Sequence, residues 1–200
     1  MPLLFEKMMN RTPKFMEWDK YKYFSVVAPF LTESASFLFE IRSNKLRTQP
    51  GEICFPGGSI CPGETPETAG VRELTEELLV LQRDVELIAP LDILLRPYSA
   101  MIYPYIGHLH NYQGTFSKDE VKEIFTVPFE HFLQNDPAVY YNEISVKPSH
   151  DFPYSLIGRE DYPWRTGRYP VLFYRYQNKV IWGITAQIIH NIVELHREGK

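Results

Sequence analysis

Glu73, Glu76 and Glu77 fall within one helical turn of each other, and at about 100° per residue they share one arc of a helix over residues 66–81. Val71, Leu74, Leu78 and Leu81 take the opposing, packing face. Like charges spaced i,i+3 and i,i+4 each cost an isolated helix about 0.2–0.5 kcal/mol. These three also lie past the first turn, where the helix dipole no longer rewards negative charge. A solvated face is the ordinary reading of such a run. The other is a hard divalent cation such as Mg2+, which takes oxygen ligands and is commonly shared with substrate phosphates. Gly57-Gly58, a short loop upstream, favours the cation, because a backbone without Cβ can approach a metal or phosphate closely. Arg72 adjoins the acids and can hold Glu64 or Glu76 through a forked hydrogen-bonded pair.

A second charge feature lies upstream. Arg42, Lys45 and Arg47 stand between Ile41 and Gly51 with no acid among them, which reads as either an anion site or a solvated loop. The whole chain is acidic, with 21 Lys plus Arg against 25 Asp plus Glu and a net charge of -4. That balance excludes a general polyanion binder, so no nucleic-acid partner is expected. No apolar run is long enough to span a bilayer and no secretory leader is evident, so the expectation is a cytoplasmic chain with no membrane partner. Cys54 and Cys61 are too few for a disulfide scaffold or a thiolate zinc site and read as reduced thiols. His108, His110, His131, His150 and His190 lack zinc-finger spacing and read as structural.

These residues need elements to place them. At 200 residues, 44% hydrophobic and 23% charged, the chain has the composition of a globular protein. Residues 1–20 read as an N-terminal arm and 21–200 as one domain. Strands are expected at 23–31 and 37–42, joined by Thr32-Glu33-Ser34, with a short one at 52–55. Thr65 is a helix N-cap with Pro66 at the first helical position, and the helix runs to about Val80. Further strands are expected at 85–95, 101–109 and 123–127, then a short helix at 129–133. Residues 148–170 read as an irregular excursion, followed by a hairpin of 171–176 and 180–182 and a closing amphipathic helix over 185–197.

Two segments carry a family resemblance. Gly58, five residues, Glu64, seven residues, then Arg72-Glu73-Leu74-Thr75-Glu76-Glu77-Leu78-Leu79-Val80 resembles the Nudix box, GX5EX7REUXEEXGU with U aliphatic, at eight of nine defined positions. Leu79 stands where the family usually has glycine. A glycine there would end the helix in the left-handed conformation, so Leu79 implies a different helix end. Residues 38–58 resemble the motif of the coenzyme A pyrophosphatase branch, LLTXRSX3RX3GX3FPGG. Arg42, Ser43, Arg47, Gly51, Phe55, Pro56, Gly57 and Gly58 are in register, while Phe39 and Glu40 replace Leu and Thr.

The resemblance implies an α/β fold, an α/β/α sandwich with a mixed sheet. It implies hydrolysis of coenzyme A or acyl-CoA to 4′-phosphopantetheine, or its acyl form, and adenosine 3′,5′-bisphosphate. ADP-ribose or a dinucleotide is the alternative substrate, and a non-catalytic ligand sensor the more distant one. Mg2+ or Mn2+ would sit on Glu73 and Glu77, with Glu76 and the Gly58 carbonyl assisting. Arg42, Ser43, Arg47, Gly57 and Gly58 would bind substrate. The general base would be Glu76, Glu73, Glu120 or Glu123, with Arg72 supporting the box. Tyr98, Tyr103, Tyr105, Tyr154 and Trp164 could line a pantetheine channel or lie in the core, and the aromatic region 140–176 could cover a second copy in a homodimer.

Overall fold

The computed structural model describes Met9, Met16 and residues 18–97 and 100–199. The expected arm is therefore mostly outside the described residues, apart from a 3-10 turn at Trp18–Lys20, and Tyr98 is outside as well. Strand β1 (Lys22–Leu31) turns through Thr32–Ser34 into β2 (Ser36–Arg42). Short strands β3 (Ile53–Cys54) and β4 (Gly57–Ser59) precede helix α1 (Pro66–Leu78). Next come β5 (Val85–Pro90), β6 (Leu94–Arg96), β7 (Ala100–Leu109) and β8 (Val121–Pro128). Helix α2 (Phe129–Gln134), β9 (Ala138–Ile144), β10 (Gly167–Tyr176), β11 (Lys179–Trp182) and α3 (Gly183–Glu198) complete the chain.

The main sheet has the order β3-β2-β1-β7-β5, with β4 on β1, β6 on β7 and β8 on β2. It is mixed, because β1 runs parallel to β7 and antiparallel to β2 and β4. Alternation along its strands sends side chains to opposite faces. Val27 and Leu38 join Leu74 and Leu78 of α1 on one face. Ala28, Phe37 and Phe39 join Ile188, Ile189, Ile192 and Val193 of α3 on the other. The sheet thus lies between helical layers, the α/β/α arrangement. Strands β9, β10 and β11 form a second sheet, and Leu172, Tyr174 and Ile181 extend the α3-side core.

Three local expectations are corrected. The strand expected over 85–95 breaks into β5 and β6, with Pro90 at the end of β5 near Pro104 of β7; neither proline has an N–H for the ladder. Strand β9 was not anticipated, because its residues are exposed at every position but the last and lack an alternating apolar pattern. Within α1, Glu77 does not share the open face of Glu76. It is buried, only 4% exposed, because Gly70 brings the helix close against β1; a Cβ there would come within 2.6 Å of the Ser25 hydroxyl. Two turns on, at i+7, Glu77 is carried onto the same sheet-facing side, whereas Leu81 lies beyond the helix and is exposed.

Both ends of α1 have explicit partners. Thr65 accepts a hydrogen bond from the Thr68 N–H, and the Thr68 hydroxyl in turn accepts from the Thr65 N–H, a reciprocal cap. The C-terminus overturns the expectation drawn from Leu79. Leu79 itself adopts the left-handed conformation, φ 53° and ψ 48°, and donates its N–H to the Thr75 carbonyl. The Thr115 hydroxyl donates to the Leu78 carbonyl at 2.7 Å and the Ser117 N–H to the Glu77 carbonyl at 2.8 Å. External donors thus satisfy carbonyls that a helix end leaves open, and they hold the turn without glycine.

A left-handed non-glycine residue costs about 1–2 kcal/mol, of which glycine's extra unfolded-state entropy returns about 0.5–1. Leu79→Gly is expected to stabilise the fold by about 0.5–1 kcal/mol. The readout is a raised denaturant midpoint at unchanged slope; a lowered midpoint would show that the Leu79 side chain contributes more packing than its backbone costs.

Candidate active site

Strands β2, β3 and β4, the loop that follows, α1 and the start of α3 surround a cleft of about 800 Å3. Glu73, Glu77 and Glu120 contribute its acidic lining, with Arg42 and the Gly57-Gly58 backbone lining it as well. Phe24, Ile53, Phe55, Trp182, Ile184 and Ile188 give it apolar lining.

Arg72 organises the acids. Its Nε and Nη2 donate to the two Glu64 carboxylate oxygens at 2.7 and 3.1 Å, and Nη1 donates to Glu73 at 2.8 Å. The forked pair thus goes to Glu64, while Glu76 is reached only at 3.4 Å and its side chain is 55% exposed. Nη2 also donates to the Ser59 carbonyl, and the Cys61 N–H donates to Glu64. One guanidinium therefore ties α1 to the loop that leads into it. The Arg72 hydrogen bond and then the Cys61 N–H hold the Glu64 carboxyl down at about 2, and its two carboxylate partners raise Arg72.

Glu77 is in a different environment. Its Oε2 accepts the Gly57 N–H at 2.9 Å, and among the described residues no cation pairs with it. Burial, then the charge of Glu40, pushes its pKa well up. Glu40 is 1% exposed; one oxygen accepts the Cys54 thiol at 3.2 Å and the other has no hydrogen-bond partner. Burial raises Glu40 and Cys54 alike. Glu73 is half-buried and raised by burial, with Arg72 working in the opposite direction. Glu77, desolvated without a paired cation among the described residues, together with the half-buried Glu73 and the adjacent glycine backbone, forms a donor set that fits a hard divalent cation. Glycine is required at 57, where a Cβ would come within 2.5 Å of the Ser25 carbonyl oxygen and 2.8 Å of Val26 Cα, and a Cβ at 58 would displace the Glu73 carboxylate.

The NUDIX domain profile matches residues 22–144, which contain both motifs and the cleft's acidic wall. The chain belongs to the NUDIX domain family. It is 39% identical over 133 residues to the peroxisomal coenzyme A diphosphatase NUDT7 of Mus musculus, a match covering 64% of this chain and 56% of that protein. Similarity to the peroxisomal coenzyme A diphosphatase ndx-8 of Caenorhabditis elegans is 33% over 52% of this chain and 46% of that one. The uncharacterized Nudix hydrolase NudL of Photorhabdus laumondii is 28% identical over 95% of this chain and 92% of its own. The chain thus spans about half the length of the two coenzyme A diphosphatases it matches. No described helix is long and apolar enough to cross a membrane.

Within this Nudix domain the residues singled out from sequence divide into two groups. Arg42, Gly57, Gly58, Glu73, Glu77 and Glu120 line the cleft. Glu76, Ser43 and Arg47 do not. Ser43 is buried as a loop tie, its N–H donating to the Glu120 carbonyl at 2.8 Å and its hydroxyl accepting from the Lys45 N–H. Arg47 is exposed, and Lys45 pairs with Asp119 at 2.9 Å. Of the basic stretch, then, Arg42 alone lines the cavity. Glu123 is engaged by Lys179 at 2.6 Å. Tyr103 and Tyr105 pack in the α1-side core, and Tyr154 and Trp164 pack around Phe152. Both cysteines line the cleft as free thiols. Glu40 was not assigned to the site from sequence, although it carried a signal, since it departs from the Thr of the upstream motif.

A carboxylate held at about 2 against an ordinary 4.5 contributes stability that is fully present above the unfolded value and is lost as pH falls toward 2. Glu64→Gln is therefore expected to flatten the acid limb of the stability curve between about pH 4.5 and 2, measured by denaturant midpoint against pH. An unchanged limb would show that the Arg72 pair contributes nothing to folding.

Proposed function

We propose that the protein is a divalent-metal-dependent pyrophosphohydrolase that cleaves the diphosphate of coenzyme A or an acyl-CoA. The observation that carries this reading is the composition of a single cleft: an acidic wall of Glu73, Glu77 and Glu120, Arg42 nearby, and an apolar lining of Ile53, Phe55, Trp182, Ile184 and Ile188. Such a cavity suits a molecule with a polyanionic diphosphate at one end and a long, weakly polar arm at the other. The similarity to the mouse and worm peroxisomal coenzyme A diphosphatases NUDT7 and ndx-8 supports the same substrate.

Glu73 and Glu77 would hold Mg2+ or Mn2+, with the Gly58 backbone beside them. When bound, such a cation supplies neutralisation of the diphosphate charge and acidification of an attacking water. Arg42 would take a phosphate oxygen through its fork. Its Nε already donates to the Thr48 carbonyl, which fixes the direction of the guanidinium. Glu120 lines the cleft where Glu76 does not, and would receive the proton of the attacking water. Arg72 and Glu64 keep Glu73 oriented. Cleavage yields 4′-phosphopantetheine, or its acyl form, and adenosine 3′,5′-bisphosphate.

Incubation with CoA and acyl-CoA in Mg2+ or Mn2+, with both products resolved by chromatography, tests the proposal. Glu73→Gln and Glu77→Gln are each expected to lower kcat on the order of 10²–10³-fold, and Glu76→Gln to cost less than either. Arg42→Ala is expected to lose more activity on CoA than on dephospho-CoA if it reads the 3′-phosphate. Turnover of ADP-ribose or a dinucleotide in place of CoA would move the assignment to that substrate class; no turnover of any of them in either metal would overturn it.

A further inference from the structure

At the opposite end of β7 from the cleft, two histidines and a glutamate converge. Ala100 and Ile102, at the start of β7, line the cleft; His108 lies six residues further on, roughly 20 Å along a strand. His108 and His110 are spaced i,i+2, which places both on one face of extended chain. Glu86 of β5 is the Cα partner of His108 across the antiparallel pair, and directly opposed residues share a face. The backbone beneath is fixed by the ladder and by the His110 N–H donating to the Asp84 carbonyl at 2.8 Å.

The side chains meet accordingly. His110 Nε2 lies 3.2 Å from Glu86 Oε2, and the two imidazole rings are 4.0 Å apart between centroids. One potential donor atom from each of Glu86, His108 and His110 lies within 4.8 Å of the others. His108 Nε2 is also 2.7 Å from the Thr32 hydroxyl, which sets the ring's orientation and leaves the second nitrogen for another partner. Donors around tetrahedral zinc, at about 2.0–2.1 Å from the metal, are about 3.3 Å apart. The Glu86–His110 pair already has that separation, and a donor atom of His108 lies within 4.8 Å of both.

We propose that Glu86, His108 and His110 form a site for a zinc-class divalent cation that staples the edge strand β5 to β7, with Thr32 orienting His108 and a fourth position left for water. Two imidazole nitrogens and one carboxylate oxygen select zinc and its late first-row neighbours over Mg2+ or Ca2+, which prefer all-oxygen sets. This site is separate from the cleft in place and in donor chemistry. It was not legible from the histidine spacing alone because Glu86 arrives through strand pairing.

The test titrates the full chain with Zn2+, and with Co2+ as a spectroscopic probe, in saturating Mg2+. Wild type is expected to bind one more equivalent than the His108→Ala/His110→Ala double variant, to show nitrogen-ligated Co2+ absorption bands that the variant lacks, and to gain thermal stability on zinc addition. Glu86→Gln should weaken that equivalent about tenfold or more, while His150→Ala leaves it unchanged. Any zinc that enters the cleft binds wild type and double variant alike, so the difference of one equivalent isolates the new site. The wild type supplies a readout independent of variant folding: Zn2+ should perturb the imidazole NMR signals of two histidines together, the two signals absent from the double variant where it folds. Equal stoichiometry in wild type and a folded double variant, or no perturbation of a histidine pair in wild type, would overturn the proposal.

Discussion

Placing the Glu77 carboxylate between α1 and the Gly57 backbone is the constraint around which the cleft is built. Its Oε2 takes the Gly57 N–H, so the glycine loop and the helix are registered to each other by one hydrogen bond. The close approach of α1 at Gly70 makes this reach possible and also removes Glu77 from water. Desolvating a carboxylate without pairing it is costly, and the raised pKa of Glu77 records that cost. For a carboxyl raised from 4.5, stability is lost as pH climbs from the unfolded value through the folded one. A cation held there, as proposed, would offset that penalty, so the cost in the metal-free fold and the affinity for a cation would have the same origin.

The two halves of the acidic wall are held by opposite means. Glu73 is kept in place by Arg72, which also clamps Glu64 and the Ser59 carbonyl. Glu77 has no such partner and relies on backbone and burial. This division suits a site that must keep its shape while exchanging a charged ligand. The guanidinium fixes geometry whether or not a cation is present, and the unpaired carboxylate supplies the charge that the cation needs. Glu76, exposed and only weakly reached by Arg72, belongs to neither arrangement, although it shares the helix turn with both.

Much of this was readable in the sequence, for physical reasons that differ by residue. Thr65-Pro66 marks a helix start because capping is local chemistry, and the start is found where expected. Strands β1 and β2 are readable because apolar runs rich in Val, Phe, Ile and Leu, separated by a polar turn, are local signals as well. Glu77 was misplaced because a helical wheel knows angles but not how closely a particular glycine lets the helix approach its sheet. Arg42 and Arg47 look equivalent in a basic stretch, yet Arg42 ends β2 at the cleft while Arg47 lies in the exposed loop beyond. Leu79 shows the reverse: the left-handed helix end survives without its usual residue because Thr115 and Ser117, nearly forty residues away, supply the missing hydrogen bonds.

Glu40 extends this logic into the buried layer beside Cys54, which lines the cleft. It stands where the upstream motif has Thr, and it brings a second desolvated carboxyl into the electrostatic reach of Glu77. Only a thiol donor, Cys54, and the more distant positive charge of Arg42 act to lower its pKa. Burial raises both carboxyls, and the charge of Glu40 raises Glu77 further. A divalent cation held by Glu77 as proposed would therefore have to displace a proton as well as water, which would make its binding depend on pH. Cys54, kept a thiol by burial and by that negative charge, serves as the hydrogen-bond donor that makes the Glu40 position tolerable. Its place beside the cleft thus follows from the carboxylate it supports, without any reactivity of its own.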